Sequence, residues 1–462
     1  MKKFNIILVS IALLSVFITS CKPDPEEVER DIINEWIWES MNEIYLWTED
    51  LDQSLYPTND DPETFFYQLL HPNDKYSWIV DDYEELVNSF NSVEMSNGIS
   101  PYFIRVSGTD NVIVIVEYVA AGSPADSAGI KRGDIITDID GIAITIDNYI
   151  DLFYSEIATL SFANYLDGQL YSNGVDITLT AEVIDQNPVN YYEIISYEDT
   201  DIAYLVYTQF TSGEGDKWLD SLDYLFAEMQ TENIDNLVID LRYNPGGSVY
   251  MATHIASVLS PATVPGNDNV FVNFQWNDAY QEYFIQEDGE DSENLVVYFE
   301  EFPSYNLDLN TIYFLTTSHS ASASELLMIG LDPYTEVVQI GESTYGKCYG
   351  SITIPDVEKP ARHEWAMQPI VFKFSNSVGY TDFTDGIPPD YEVEDYLLDA
   401  KQFGDITDPQ LAKALELITG VSPITKKSVP TRAQYEILPD PHRDLKSKAV
   451  LEFRHEVLGV RR

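Results

Sequence analysis

Between residues 189 and 420 the apolar positions fall into short solid runs separated by amphipathic stretches. Ala203-Tyr204-Leu205-Val206-Tyr207, Leu237-Val238-Ile239, Ile312-Tyr313-Phe314-Leu315 and Val337-Val338-Gln339-Ile340 each predict a strand. Trp218 to Met229, about Val249 to Leu259, and a stretch opening at Ser324-Glu325-Leu326-Leu327 predict helices. Strand and helix in alternation imply an α/β core with right-handed crossovers. Upstream the pattern differs. Residues 93–188 alternate apolar and polar at period two, as in Asn111-Val112-Ile113-Val114-Ile115-Val116, which predicts strands. Nearer the start, Ile33, Trp36, Ile37, Met41, Ile44, Tyr45 and Trp47 follow a helical period, with further helices expected from Pro62 to Leu70 and near Asp82. Between Pro261 and Asn310 the chain turns acidic and aromatic, and an insertion or extended loop over a cleft is expected there.

These patterns divide the chain into a multidomain α/β protein. A signal peptide covers 1–20, a tether 21–29, a helical region 30–92, a β-rich module 93–188, the α/β core 189–420 and a basic tail 421–462. Its 462 residues exceed one ordinary core. The formal charge of −53 argues against nucleic acid or an anionic membrane surface as partner. The tail departs from this balance, with nine Lys/Arg against five Asp/Glu. At the other end Lys2 and Lys3 precede an apolar run from Ile6 to Ile18, too short for a stable span. Only two cysteines are present, Cys21 and Cys348. The six histidines are scattered with no metal-binding spacing, so neither a metal nor another cofactor is expected.

Candidate chemistry concentrates between Ser318 and Ser351. Ser320-Ala321-Ser322-Ala323-Ser324-Glu325 sits at a strand-to-helix turn, and Gly341-Glu342-Ser343-Thr344-Tyr345-Gly346-Lys347 follows the next strand. Together they resemble the carboxyl-terminal processing proteases (peptidase family S41), which use a Ser–Lys dyad and carry a PDZ domain. The resemblance implies Ser322 as nucleophile and Lys347, 25 residues later, as general base. Asp240-Leu241-Arg242-Tyr243-Asn244-Pro245-Gly246-Gly247 is similar to the family's oxyanion strand. The Gly246 or Gly247 amide, paired with that of Ala323, is expected to hold the oxyanion. Asp240 and Arg242 are expected to fix the turn, and Glu325 to serve the helix N-terminus. Many family members place a glutamine four residues after the lysine; Ser351 stands there and is the candidate for orienting Lys347. Asn73-Asp74-Lys75-Tyr76-Ser77 resembles a family motif and reads as structural. His319, close before Ser322, reads as a loop residue.

The run Gly122-Ser123-Pro124-Ala125-Asp126-Ser127-Ala128-Gly129-Ile130-Lys131-Arg132-Gly133-Asp134 resembles the PDZ signature, which implies a β-sandwich-like domain that binds peptide tails by adding a strand. Its carboxylate loop should involve Gly98 and Ile99, although Ser100 and Pro101 depart from the usual pattern. The core is expected to resemble the ClpP/crotonase-type fold of these proteases. Ile18-Thr19-Ser20-Cys21 resembles a bacterial lipobox, implying lipidation of Cys21 and a lipid-anchored protein of the cell envelope, facing the periplasm or the cell surface. A serine hydroxyl attacks only when a base takes its proton, and burial disfavours the charged form of a lysine. The expectation is a serine endopeptidase acting on protein or peptide substrates. The alternative is a catalytically silent peptide-binding scaffold of the envelope. Nothing in the sequence fixes the oligomeric state.

Overall fold

The computed structural model describes residues 25–424 and 435–441, except 167, 267 and 302–304. The expected signal peptide, Cys21 and most of the basic tail lie outside the described residues.

The first helix, Pro25–Ile44, buries Ile33, Trp36, Ile37 and Met41 against Phe65 and Phe66 of the helix Pro62–Gln68. It begins inside the stretch 21–29 assigned to a tether, which corrects that boundary. Proline is tolerated in the first turn because the amide it lacks has no intrahelical partner there. A third helix, Tyr83–Phe90, is capped by Asp82. The short strand Trp78–Val80 ties this region to the core by pairing antiparallel with Ala366–Gln368.

The β-rich module is an antiparallel sheet ordered Tyr435–Ile437, Ile99–Val106, Val112–Val119, Ile135–Ile139, Ile157–Leu166 and Gln169–Thr180. Its own core gathers Phe103, Val114, Ile136, Phe153 and Leu160 under the helices Pro124–Ser127 and Tyr149–Phe153. Asp140 and Gly141, at φ 52° and 71°, form the tight turn of the hairpin in which Ile139 pairs with Ile142. The first strand of this sheet belongs to the C-terminal segment.

In the α/β core, Thr200–Tyr207, Leu237–Asp240, Thr311–Thr316 and Glu336–Gly341 are parallel neighbours. Alternate residues feed two cores. Ala203, Leu205, Leu237 and Ile239 meet the helices Lys217–Thr231, Val249–Leu259 and Ala323–Leu331. Tyr204, Val206, Val238 and Leu315 face the helix Pro409–Thr419. With helices on both faces, the strands read as solid apolar runs. The parallel order brings the strand ends carrying Arg242, Ser320 and Glu342 to one edge, where the loops meet.

Residues 261–310 are not a loop over a cleft. Val270–Trp276, the helix Asp278–Asp288 and Val296–Tyr298 are regular elements, and Phe271, Phe274, Trp276 and Phe284 enter the main core. Acidic residues on the outer faces hide this in the sequence. Among the described residues no helix is long and apolar enough to cross a membrane.

Candidate active site

The strand Thr311–Thr316 ends in a turn whose three serines have different fates. Ser320 Oγ donates to Leu241 O at 2.7 Å and Ser324 Oγ to Asn244 O at 3.1 Å. Ser322 Oγ is buried and, among the described residues, makes no hydrogen bond to Lys347 Nζ or to any other atom. Only the middle hydroxyl is left for chemistry. Its residue stands at the head of the helix Ala323–Leu331 with φ 56° and ψ −108°, a conformation that costs a non-glycine residue about 1–3 kcal/mol. Strain of this kind holds the side chain out from the turn.

Lys347 lies on the loop after Glu336–Gly341 and is 0% exposed, as is Ser322. The Glu325 carboxylate joins the two segments. Its Oε2 accepts from Ser322 N at 2.8 Å and Lys347 N at 2.9 Å, and its Oε1 from Gly346 N at 2.7 Å and Thr344 Oγ1 at 2.6 Å. Burial pushes this carboxyl above its ordinary range, against the pull of Thr344 and the amides of Lys347, Gly346 and Ser322. Glu325 therefore does more than serve the helix N-terminus. It fixes the serine turn and the lysine loop to one point.

Gly246 and Gly247 pass beside this turn at φ 109° and 136°. A Cβ on Gly246 would lie 2.8 Å from Ser322 Cβ and 2.9 Å from Ala323 N, so only glycine permits the approach. The Gly246 amide, however, donates to Asn244 Oδ1 at 2.9 Å, which corrects its expected role as an oxyanion donor. Gly247 forms a parallel bridge with Phe210, in which Phe210 N donates to Gly246 O and Ser248 N to Phe210 O. Such a bridge turns the Gly247 N–H to the opposite side. The Ala323 amide is at the first helical position, where no intrahelical acceptor exists.

Ser351 is buried, but its Oγ has no hydrogen-bond partner among the described residues, so the expected contact with Lys347 is not made. The shorter side chain leaves the reach of a glutamine unfilled. Tyr76 instead meets the lysine loop: its hydroxyl donates to Gly346 O at 2.8 Å and its ring centroid is 6.0 Å from Lys347 Nζ. Asp74 shapes that approach by accepting from Tyr76 N, Ser77 N and Ser77 Oγ. Sequence reading missed this contact although it singled out the motif, because the partners are 270 positions apart. His319 Nδ1 is 3.2 Å from Glu117 Oε1 and has no bond to Ser322.

Asp240 and Arg242, expected to fix the glycine turn, bond to each other and to a carboxylate of another segment, with Arg242 Nη2 2.6 Å from Asp240 Oδ2 and Nη1 3.0 Å from Asp408 Oδ2. Asp395 extends the cluster to Arg132 of the β-rich module at 2.7 Å, and Tyr243 bonds to both. In that module the amides expected to bind a peptide carboxylate are already engaged. Gly98 N donates to Ser96 Oγ at 3.0 Å and Ile99 N to Asn97 Oδ1 at 2.9 Å. This corrects the expected carboxylate loop.

Residues 201–393 match the model of peptidase family S41, 32–78 the peptidase S41 N-terminal domain and 115–161 a PDZ domain. A carboxyl-terminal-processing protease of Synechocystis sp. is 24% identical over 67% of this chain and 65% of its own length. One from Bartonella bacilliformis is 25% identical over 54% of this chain and 52% of its own. The chain thus spans between half and two thirds of these curated relatives. A putative S41 protease from Bacteroides fragilis, solved by crystallography, superposes with a TM-score of 0.70 at 25% identity, covering 83% of this chain and 97% of that one. The serine turn, the lysine loop, the PDZ module and these matches together make the chain a member of peptidase family S41.

Proposed function

We propose that this protein is a serine endopeptidase acting on protein or peptide substrates through a Ser322–Lys347 dyad. Ser322 attacks the peptide carbonyl and Lys347 takes its proton, later giving it to the leaving amine. The Ala323 and Gly247 amides receive the developing oxyanion; losing one such donor typically costs about 2.7–4 kcal/mol of transition-state stabilisation. The observation that carries this reading is the Glu325 carboxylate, one oxygen of which accepts from the backbone of both dyad residues. The absence of an acceptor for Ser322 Oγ supports a hydroxyl held in reserve. Hydrogen bonds of a catalytic site are often long before substrate arrives and tighten in the complex. The PDZ module then recognises or gates the substrate chain. Lys2, Lys3, the apolar run to Ile18 and Cys21 support a lipid anchor in the bacterial envelope.

Ser322→Ala and Lys347→Ala should each reduce hydrolysis of an unfolded protein substrate by at least a thousandfold, with the unfolding midpoint in urea kept. Undiminished cleavage by either variant would remove the assignment. Peptide binding with no cleavage by the parent protein would favour a silent scaffold.

A further inference from the structure

The PDZ sheet is completed by a strand from the far end of the chain. Tyr435–Ile437 pairs antiparallel with Ile99–Val106, with Tyr435 opposite Val106 and Ile437 opposite Ile104. Without it, Ile99–Val106 would be the open edge of the sheet. The contact continues past the strand. Leu438 N donates to Phe103 O at 3.0 Å, and the Leu438 side chain packs against the core that contains Ile99, Phe103 and Phe153. Tyr149 Oη donates to Pro439 O at 2.9 Å, and Tyr154 Oη to the Asp440 carboxylate at 2.8 Å. Asp440 is itself buried.

Segment 435–440 therefore lies between an edge strand and the helix Tyr149–Phe153, bonded to both. This is peptide recognition by strand addition: main-chain bonds supply affinity, and pockets for particular side chains supply selectivity. The occupant is an internal segment, since the chain continues to Arg462. The engaged amides of Gly98 and Ile99 fit that choice, because a groove for internal peptides needs no donors kept for a terminal carboxylate.

We infer that the PDZ groove of this protein reads internal extended segments of the pattern Tyr-x-x-Leu-Pro-Asp, and that its own residues 435–440 are the resident ligand, which an incoming chain must displace. The inference rests on reading the module as a peptide binder and is independent of the peptidase assignment. Leucine under the helix and an acidic group at the Tyr154 hydroxyl are the selective contacts.

The test uses the full chain carrying Ser322→Ala, so that nothing is cleaved, and a fluorescent peptide copying residues 435–440 with both ends capped. Fluorescence anisotropy should give weak binding to this protein. Binding to the same protein with Leu438→Arg should be at least tenfold tighter, and with Asp440→Asn about threefold tighter. The amide-ended and free-acid peptides should bind the opened protein within twofold of each other. A peptide carrying the arginine at the Leu438 position should bind it at least tenfold more weakly. Hydrogen exchange at Phe103–Arg105 should quicken in the Leu438→Arg protein and slow again with peptide, which also shows that the sheet is intact. Equal peptide binding by the parent and both tail variants would overturn the inference, and so would binding of the free-acid peptide alone.

Discussion

Glu325 concentrates more of the site's geometry than either residue of the proposed dyad. A buried carboxylate accepting four hydrogen bonds cannot be replaced by an amide without turning a donor toward donors. Glu325→Gln should lower stability by about 2–4 kcal/mol, read from urea unfolding. It should also cost at least a hundredfold in kcat, because the serine and lysine segments lose their common acceptor. A variant with unchanged stability and kcat would show that chain connectivity alone aligns them. The sequence suggested Ser322 and Lys347, the proposed dyad, because a local motif surrounds each. Glu325 was legible as a helix-start residue only, since three of its four partners come from a loop 19 to 22 positions away. Gly246 was misassigned for a related reason: NPGG announces a close approach but does not say which amide is already given to Asn244.

Among the elements, the helices Lys217–Thr231 and Val249–Leu259 are joined by His254, whose Nε2 is 2.8 Å from Asp223 Oδ1 while Nδ1 is 2.8 Å from Glu300 Oε2. Burial alone would lower its pKa; the hydrogen bonds it donates to Asp223 and then Glu300 outweigh that and lift it to about 9. A histidine whose folded pKa is raised stabilises the fold in full below its unfolded value of about 6.5 and loses that contribution as pH climbs through about 9. The protein should therefore lose about 3 kcal/mol between pH 6.5 and 9.5 that His254→Gln does not lose, as denaturant titrations across that range will show. At this scale the sequence was most informative where burial is two-sided. The four parallel strands announced themselves as solid apolar runs, and the helix Val249–Leu259 was bounded correctly. Between 261 and 310 it was least so, because Asn273 and Gln275 interrupt the apolar run of Val270–Trp276 from its less buried face and acidic residues dominate its neighbours. The identity of the strand partnering Ile99–Val106 was hidden altogether, since no local pattern tells an edge strand that its neighbour lies more than 300 positions away.

For the molecule as a whole, the PDZ module and the peptidase core meet through a buried charge cluster. Asp395 lies between Arg132 of the former and Arg242 of the latter, and Tyr243, three residues before Gly246, bonds to both Arg132 and Asp395. Burial would raise the Asp395 carboxyl, and the two guanidinium groups instead hold it below its ordinary range. Removing one member leaves an uncompensated buried charge, typically a loss of about 3–5 kcal/mol. Arg132→Met should accordingly loosen the docking of the two modules. Its effect is best followed at the serine. A hydroxyl that no solvent touches cannot react with a phosphonate probe until the protein opens. Inactivation by such a probe should thus level off as its concentration is raised, and Arg132→Met should lift the plateau several-fold. A rate that climbs linearly without limit would mean that the nucleophile is reached directly. The seal over Ser322 turns a covalent reagent from a census of working protein into a stopwatch, with each labelled molecule recording one breath of the fold.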